Sequence, residues 1–368
     1  MPHLFEPFTI KDVTLRNRIG VAPMCQYWSD DGFASDWHLV HLGSRAVGGA
    51  GLIICEATAV TPEGRITPKD AGLWKDEQIE PLARINKFVS QYGAVPGFQI
   101  AHAGRKASTQ PPYASGKTAQ GPYGKRGAVP DEEGGWEPVA PSALPFADDY
   151  RMPHALTREE IAQTVAAFRA TTVRAVAAGY RWIEVHGAHG YLLHEFLSRL
   201  SNQRTDEYGG SFDNRIRLGL EITRAMREVW PENLPFTWRL SATDWADDRG
   251  GWNADQTVEF ARRLKAEGVD LIDVSSGALI PGVKIPIGPG YQVPFATRVR
   301  REAGIPAATV GLITEPTHAD AIIRNGHADL VMLARQELRD PYWPWHAARA
   351  LGQQDALSLP LPYEYAAR

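Results

Sequence analysis

Cysteine is nearly absent from this 368-residue chain: Cys25 and Cys55 are the only two. A four-cysteine zinc or iron–sulfur centre therefore cannot be assembled within one chain, and a disulfide framework is excluded. No run of about 18 apolar residues occurs, so no membrane span is expected. An excess of one charge is lacking too. The 39 Lys and Arg face 43 Asp and Glu, a formal net charge of −4. Neither nucleic acid nor an anionic membrane surface is given an electrostatic footprint by that balance. The opening Met1-Pro2-His3-Leu4-Phe5-Glu6-Pro7 has no basic segment ahead of an apolar core, so no secretory leader is expected and the cytoplasm is the expected location. No low-complexity tract and no repeat of roughly 20–50 residues is present.

What is present is an alternation. Short apolar, β-branched runs recur at Ile19–Ala22, Leu52–Val60, Val95–Ala101, Trp182–Val185, Phe236–Ser241, Leu271–Val274, Ala307–Val310 and Leu330–Leu333. Continuous rather than alternating hydrophobicity marks buried parallel strands. Helix signals lie between them. Thr157 and Glu160 form a capping box, followed by Ile161, Val165, Phe168 and Val176 and a terminating Gly179. Asn253 caps a helix ending near Gly268, and Thr314 caps one with Pro316 in its first turn and Gly326 at its end. Eight strand–helix repeats without hairpins predict an α/β fold, one (β/α)8 TIM barrel domain over residues 1–368. A doubly wound sheet is the alternative, but no G-x-G-x-x-G follows the first strand. Residues 103–156, rich in Gly and Pro and carrying Trp136, interrupt the pattern after the third strand and read as a lid, a capping insertion or a tolerated surface loop. Residues 352–368 form a tail.

Barrel chemistry is built just past the strand ends. The fourth run passes into His186-Gly187-Ala188-His189-Gly190-Tyr191. On an ideal strand His186 and His189 face opposite sides, yet the small residues between them and Gly190 let the chain turn and bring both rings together. Imidazoles donate to a carbonyl or nitro oxygen, and a phenol supplies a proton. Two satisfied strand-end histidines, or an H-x-x-H metal chelate completed by His194, His102 or Asp273, stand as equal readings here. Cys25, within Pro23-Met24-Cys25-Gln26-Tyr27, is the only thiol at a strand end. It can be a nucleophile, a redox-tuning neighbour of a cofactor, or an apolar filler. Cys55 falls mid-strand and reads as core. Arg239, inside an apolar strand, needs an anionic or accepting partner: Glu56 or Glu184 in a structural ion pair, or a bound cofactor with delocalised negative charge. Gly311 and Arg335, after the last two strands, suit a phosphate. With Gln99, these residues point to one phosphorylated, planar cofactor across the barrel mouth.

These residues resemble the old yellow enzyme family of FMN-dependent ene-reductases over nearly the whole chain. The likeness runs through Leu4-Phe5-Glu6-Pro7, Leu15-Arg16-Asn17-Arg18, Ala22-Pro23-Met24-Cys25, Glu56-Ala57-Thr58-Ala59-Val60, Gly64-Arg65-Ile66-Thr67 and Gln99-Ile100-Ala101-His102-Ala103-Gly104-Arg105-Lys106. Its most specific blocks are His186 to Tyr191 and Asn202-Gln203-Arg204-Thr205-Asp206-Glu207-Tyr208-Gly209-Gly210-Ser211. Cys25 points to the thermophilic-like branch with the xenobiotic and enoate reductases. The resemblance implies non-covalent FMN, reduced by NADPH or NADH, on the barrel's C-terminal face. Ala22, Pro23, Met24, Cys25 and Ala59 would line the flavin. Gln99 and Arg239 would hold its pyrimidine edge, and Gly311, Ala334 and Arg335 its phosphate. His186 and His189 would bind the oxygen of an activated alkene, Tyr27 would contact the substrate from the other side, Cys25 would tune the flavin, and Tyr191 would protonate the α-carbon. A homodimer or homotetramer is expected, with Tyr365 or Arg368 as candidates to reach a neighbouring site. A metal-dependent barrel hydrolase built on His186 and His189, and a non-catalytic flavin-binding protein, are the alternatives. The multidomain relatives with an iron–sulfur cluster do not fit two cysteines.

Overall fold

The computed structural model describes residues 3–112 and 127–366. Eight parallel strands close on themselves: β1 (Ile19–Val21), β2 (Leu52–Ile54), β3 (Val95–Ala101), β4 (Trp182–Gly187), β5 (Phe236–Ser241), β6 (Leu271–Ser275), β7 (Ala307–Thr309) and β8 (Leu330–Leu333). Each pairs with its sequence neighbours, and β8 returns to β1 through Val331–Ile19 and Leu333–Val21. A helix covers the outside after each strand: α1 (Asp36–Gly48), α2 (Ile79–Gln91), α3 (Arg158–Ala177), α4 (Phe212–Arg227), α5 (Ala254–Ala266), α6 (Val293–Arg298), α7 (Pro316–Arg324) and α8 (Trp343–Ala350). This is the predicted TIM barrel. None of the described helices is long and apolar enough to cross a membrane.

The caps explain where several helices begin. Thr157 Oγ1 accepts from the Glu160 amide at 3.2 Å, and Glu160 Oε2 accepts from the Thr157 amide at 2.7 Å, so two otherwise orphaned donors are satisfied. Asn253 Oδ1 accepts from the Gln256 amide at 3.0 Å. Thr314 does not cap α7. Glu315 occupies that place with Pro316 at the first helical position. Val176, expected on the apolar stripe of α3, is exposed, while Thr171, Thr172 and Ala175 are buried instead. At 3.6 residues per turn it lies about 80° round from Phe168, at the edge of that stripe rather than its centre.

The run Leu52–Val60 is not one strand. The chain leaves the ladder after Ile54 and rejoins β3 only at Thr58–Ala59. The break turns Glu56 inward to accept from the Gln26 amide at 3.0 Å. An unpredicted antiparallel hairpin, Phe8–Ile10 with Val13–Leu15, plugs the end where the strands begin. Its Val13 and Leu15 pack on Leu52, Val95, Trp182, Leu271 and Leu330. Within the interruption after β3, the described residues include a 3-10 turn at Gly104–Lys106 and a short parallel pair, Val139–Ala140 with His154–Ala155.

Candidate active site

Residues two apart on a strand share a face, so each inward row can be followed up the barrel. From the plugged end, β4 presents Trp182, Glu184 and His186; β5 presents Thr237, Arg239 and Ser241; β6 presents Leu271, Asp273 and Ser275; and β3 presents Gly97, level with Trp182, and Gln99, level with Glu184. The lowest row is mainly apolar, the middle row is charged, and the highest row is polar.

The middle row is buried. Gln99 Nε2 donates to Glu184 Oε1 at 2.8 Å, and Arg239 Nε lies 3.0 Å from Asp273 Oδ2. The partner of Arg239 is thus Asp273, on the adjacent strand, and neither Glu56 nor Glu184, because the register sets Arg239 opposite Asp273. One cation faces two carboxyl groups. Burial pushes Glu184 up to about 8, with Asp273 adding to the rise and Arg239 and Gln99 opposing it. Burial raises Asp273 as well, against Arg239. The ion pair is poorly aligned: Arg239 Nε and both Asp273 oxygens have no hydrogen-bond partner among the described residues. Buried polar groups left in this way normally have a partner, which fits a hydrogen-bonding heterocycle above this row.

His186, His189 and Tyr191 do meet. The His186 and His189 ring centroids are 5.2 Å apart and edge-on, and those of His186 and Tyr191 are 5.0 Å apart. The turn that the small residues allow is made by His189 itself, in a left-handed conformation at φ 59°, followed by Gly190 at 70°. The Ala188 amide donates to His186 Nδ1 at 3.3 Å, which puts the proton of the neutral ring on Nε2. Burial, and Arg239 nearby, hold both imidazoles well below their ordinary range. His189 Nε2 lies 2.7 Å from Ser275 Oγ, and its carbonyl accepts from Lys106 Nζ at 2.8 Å. Tyr191 stands at the head of the short helix Leu192–Leu197.

Two imidazole–carboxylate pairs brace this mouth. His194 Nδ1 accepts from the Gly190 amide at 2.9 Å, and its Nε2 lies 2.9 Å from Asp244 Oδ1. On the opposite side His38 Nδ1 accepts from the Ser35 amide at 2.9 Å while Nε2 lies 3.1 Å from Glu56 Oε1. Glu56 in turn fixes Gln26, beside half-buried Cys25 and beside Tyr27 at φ 54°. Cys55 is buried and hydrogen-bonded by Tyr180 at 3.5 Å. The chelate reading of His186 and His189 finds no third ligand. His194 is engaged by Asp244, Asp273 lies against Arg239, and no group of three His, Cys, Asp or Glu among the described residues is placed to hold a metal ion.

On the remaining side, Ala22 continues from β1, its amide donating to the Leu333 carbonyl at 2.8 Å. Ala59 sits opposite Ala101 at the end of β3. Gly311 has φ 128°, and a Cβ there would come within 2.9 Å of the Tyr291 ring. Ala334 leads into the helix Arg335–Arg339, with Arg335 exposed at its start. Pro23, Met24, Ala334 and Gly311 are half-buried around the same opening.

The model of the NADH:flavin oxidoreductase / NADH oxidase family matches residues 3–354. The chain belongs to this family. A NADPH dehydrogenase of Geobacillus sp. (strain WCH70) is 47% identical over 363 residues, 98% of this chain and 97% of that protein. A NADPH dehydrogenase of Bacillus licheniformis is 46% identical over 365 residues, 99% and 98% of the two chains. Among solved structures, morphinone reductase in complex with tetrahydroNAD matches with a TM-score of 0.76 at 27% identity, covering 99% of this chain and 94% of that one. 2-Naphthoyl-CoA reductase matches with a TM-score of 0.83 at 26% identity over 96% of this chain, which spans 53% of that longer protein. As a member of this family, of the old yellow enzyme type, the protein is an FMN-dependent oxidoreductase that takes its electrons from NADH or NADPH.

Sequence reasoning missed several members of the site. Ser275 and the His38–Glu56 brace went unnoticed, and Asp273 was weighed only as a metal ligand. Asp273 carries a usable signal: a lone carboxylate within the apolar run Leu271–Val274, as Arg239 is a lone cation in its own strand. His38 carries none, because its role depends on α1 packing over β2.

Proposed function

We propose that this protein reduces the C=C bond of activated alkenes, namely α,β-unsaturated aldehydes and ketones, with maleimides and nitro compounds as further acceptors. The observation that carries this reading is the corner formed by His186, His189 and Tyr191: two neutral imidazoles beside one phenol. FMN, held non-covalently, supplies the hydride that goes to the β-carbon. Ala22, Pro23, Met24, Cys25 and Ala59 would line it. Gln99 and Arg239 would hold its pyrimidine edge, where Arg239 Nε and Asp273 lack hydrogen-bond partners. Gly311, Ala334 and Arg335 would hold its phosphate.

His186 donates Nε2–H to the substrate oxygen. Ser276 already donates to Gln292 Oε1 at 2.6 Å, so the Ser275 hydroxyl can turn to His189 Nε2 and leave the proton of that ring on Nδ1. Two donors then stabilise the negative charge that develops on the oxygen. Tyr191 gives its proton to the α-carbon. Tyr27 packs against the substrate from the far side. Cys25 tunes the flavin by contact, with no covalent step.

An absorption spectrum followed by anaerobic titration is the test. The purified protein should be yellow, bleach with NADPH or NADH, and regain its colour with cyclohexenone. Bleaching without reoxidation by any activated alkene would overturn the reading in favour of a flavoprotein with another acceptor.

A further inference from the structure

The interruption after β3 places one large side chain against the site, and nothing in the proposed chemistry uses it. Ile66, Ala103 and Ala107 form a small buried apolar cluster, and the residues packed on it are Cys25, Tyr191 and Trp136. A flavin-lining thiol, the proton donor and an indole from the insertion therefore share one floor. A narrow cavity bounded by Ala59, Ile66, Ala101, Ala103 and Tyr191 runs beside it. Ala57, Gly64, Asp70 and His102 complete its walls.

Trp136 is held at four points. Its Nε1 donates to the Glu63 carbonyl at 2.9 Å, and its backbone amide donates to Ser108 Oγ at 2.9 Å. The Arg65 guanidinium lies 5.1 Å from its ring centroid and 5.4 Å from that of Trp74, so one cation ties the two indoles together. Ser108 is buried and left-handed at φ 58°, a conformation that surrounding structure must impose. The fourth point is the apolar floor. A rigid ring fixed in this way does not swing aside for a substituent.

Resting on the ene-reductase reading, we infer that Trp136 is the specificity-determining wall of the alkene site: it admits slim, planar acceptors, such as unsubstituted cyclic enones and maleimides, and excludes those with a bulky ring substituent. The measurement is the ratio of kcat/KM for a tert-butyl-substituted cyclohexenone to that for cyclohexenone, with FMN content checked in each variant. In Trp136→Ala this ratio should rise about tenfold or more, since one methylene in such a pocket is worth roughly 10–200-fold. Trp136→Phe, which keeps an apolar ring on the same floor, should give a smaller rise, and it carries the test if the alanine variant loses FMN. Arg65→Met, which removes only the clamping cation, should raise the ratio least. A ratio that stays within about twofold of wild type in Trp136→Ala, or in Trp136→Phe where the alanine variant loses FMN, would overturn the inference. If wild type is bleached by NADPH yet reduces neither enone, the ene-reductase reading itself fails. If it reduces cyclohexenone and the ratio does not move, only the role of Trp136 fails.

Discussion

The two ends of the barrel are built on the same strands and obey different rules. At the plugged end the inward row is Val95, Trp182, Leu271 and Leu330 against the hairpin, packed as an ordinary apolar core. Two residues beyond Trp182 and Leu271, about 7 Å, stand Glu184 and Asp273, with Gln99 in register with Glu184 and Arg239 with Asp273. The backbone changes with it. Of the eight described non-glycine residues at positive φ, only Lys11 lies at the hairpin, whereas Tyr27, Asp31, Ser108, His189, Trp245, Ala278 and Leu312 all lie in loops that follow strands. Strain of this kind persists only where surrounding structure over-determines it. The apolar end stabilises the fold, and that stability permits an opposite end with misaligned charges and strained loops.

This contrast is open to test by substitutions that act on one end and spare the other. The largest expected effect is on rate. Tyr191→Phe keeps the ring volume and should slow flavin reoxidation by a weakly activated enone by roughly 10²–10⁴-fold. Its thermal midpoint and its bleaching by NADPH should stay near wild type. Uniform slowing with enone, quinone and nitro acceptors in stopped flow would show that Tyr191 is structural.

Arg239→Ala straddles the two rules. It leaves the Asp273 carboxyl buried without its paired cation, and breaking such a pair typically costs about 3–5 kcal/mol. Both the urea midpoint and FMN retention should fall. A protein that keeps its flavin and its stability would deny the middle row any role. Trp182→Ala is the matching change at the plugged end. It is fully buried and donates to Thr237 Oγ1 at 3.1 Å, and its loss should cost about 3–5 kcal/mol of stability. Both half-reactions of the folded fraction should be unchanged. Altered turnover would blur the division between the ends.

The smallest effect is a pH dependence. His186 is held neutral well below its ordinary value of 6.5. The unfolded chain takes up that proton near 6.5 and the folded chain does not, so stability is present above this value and falls as the pH drops below it. In His186→Gln, the stability lost between about pH 7.5 and 5.5 should shrink by about 1.4 kcal/mol, read from urea melts of the flavin-free protein. An unchanged pH slope would mean that the ring is already charged in the folded state.

The strands were legible because burial on both faces leaves an unbroken apolar run, and no other element of that length produces one eight times. The caps at Thr157 and Asn253 were legible because a capping box is local. The hairpin Phe8–Ile10 with Val13–Leu15 was not, since three-residue strands are too short to show a period. The kink at Cys55–Ala57 was hidden for another reason: Glu56 stands alone between apolar residues, and the groups that hold it, the Gln26 amide and the His38 ring, come from distant segments. His186, His189 and Tyr191 were legible as a cluster because they are close in sequence.

The sequence by itself determined the barrel, the order of its strands and the chemical inventory of its mouth, since all of these follow from local patterns of hydrophobicity, small residues and caps. Only the tertiary structure decided which partners those groups take. Arg239 belongs to Asp273 because strand register sets them opposite each other across 34 residues of sequence. His38 reaches Glu56, His194 reaches Asp244, and Trp136 comes to lie on the floor it shares with Cys25 and Tyr191. Such pairings depend on how far the ladders are staggered and how the helices pack over them, which are sums over many distant contacts that no short stretch of sequence encodes.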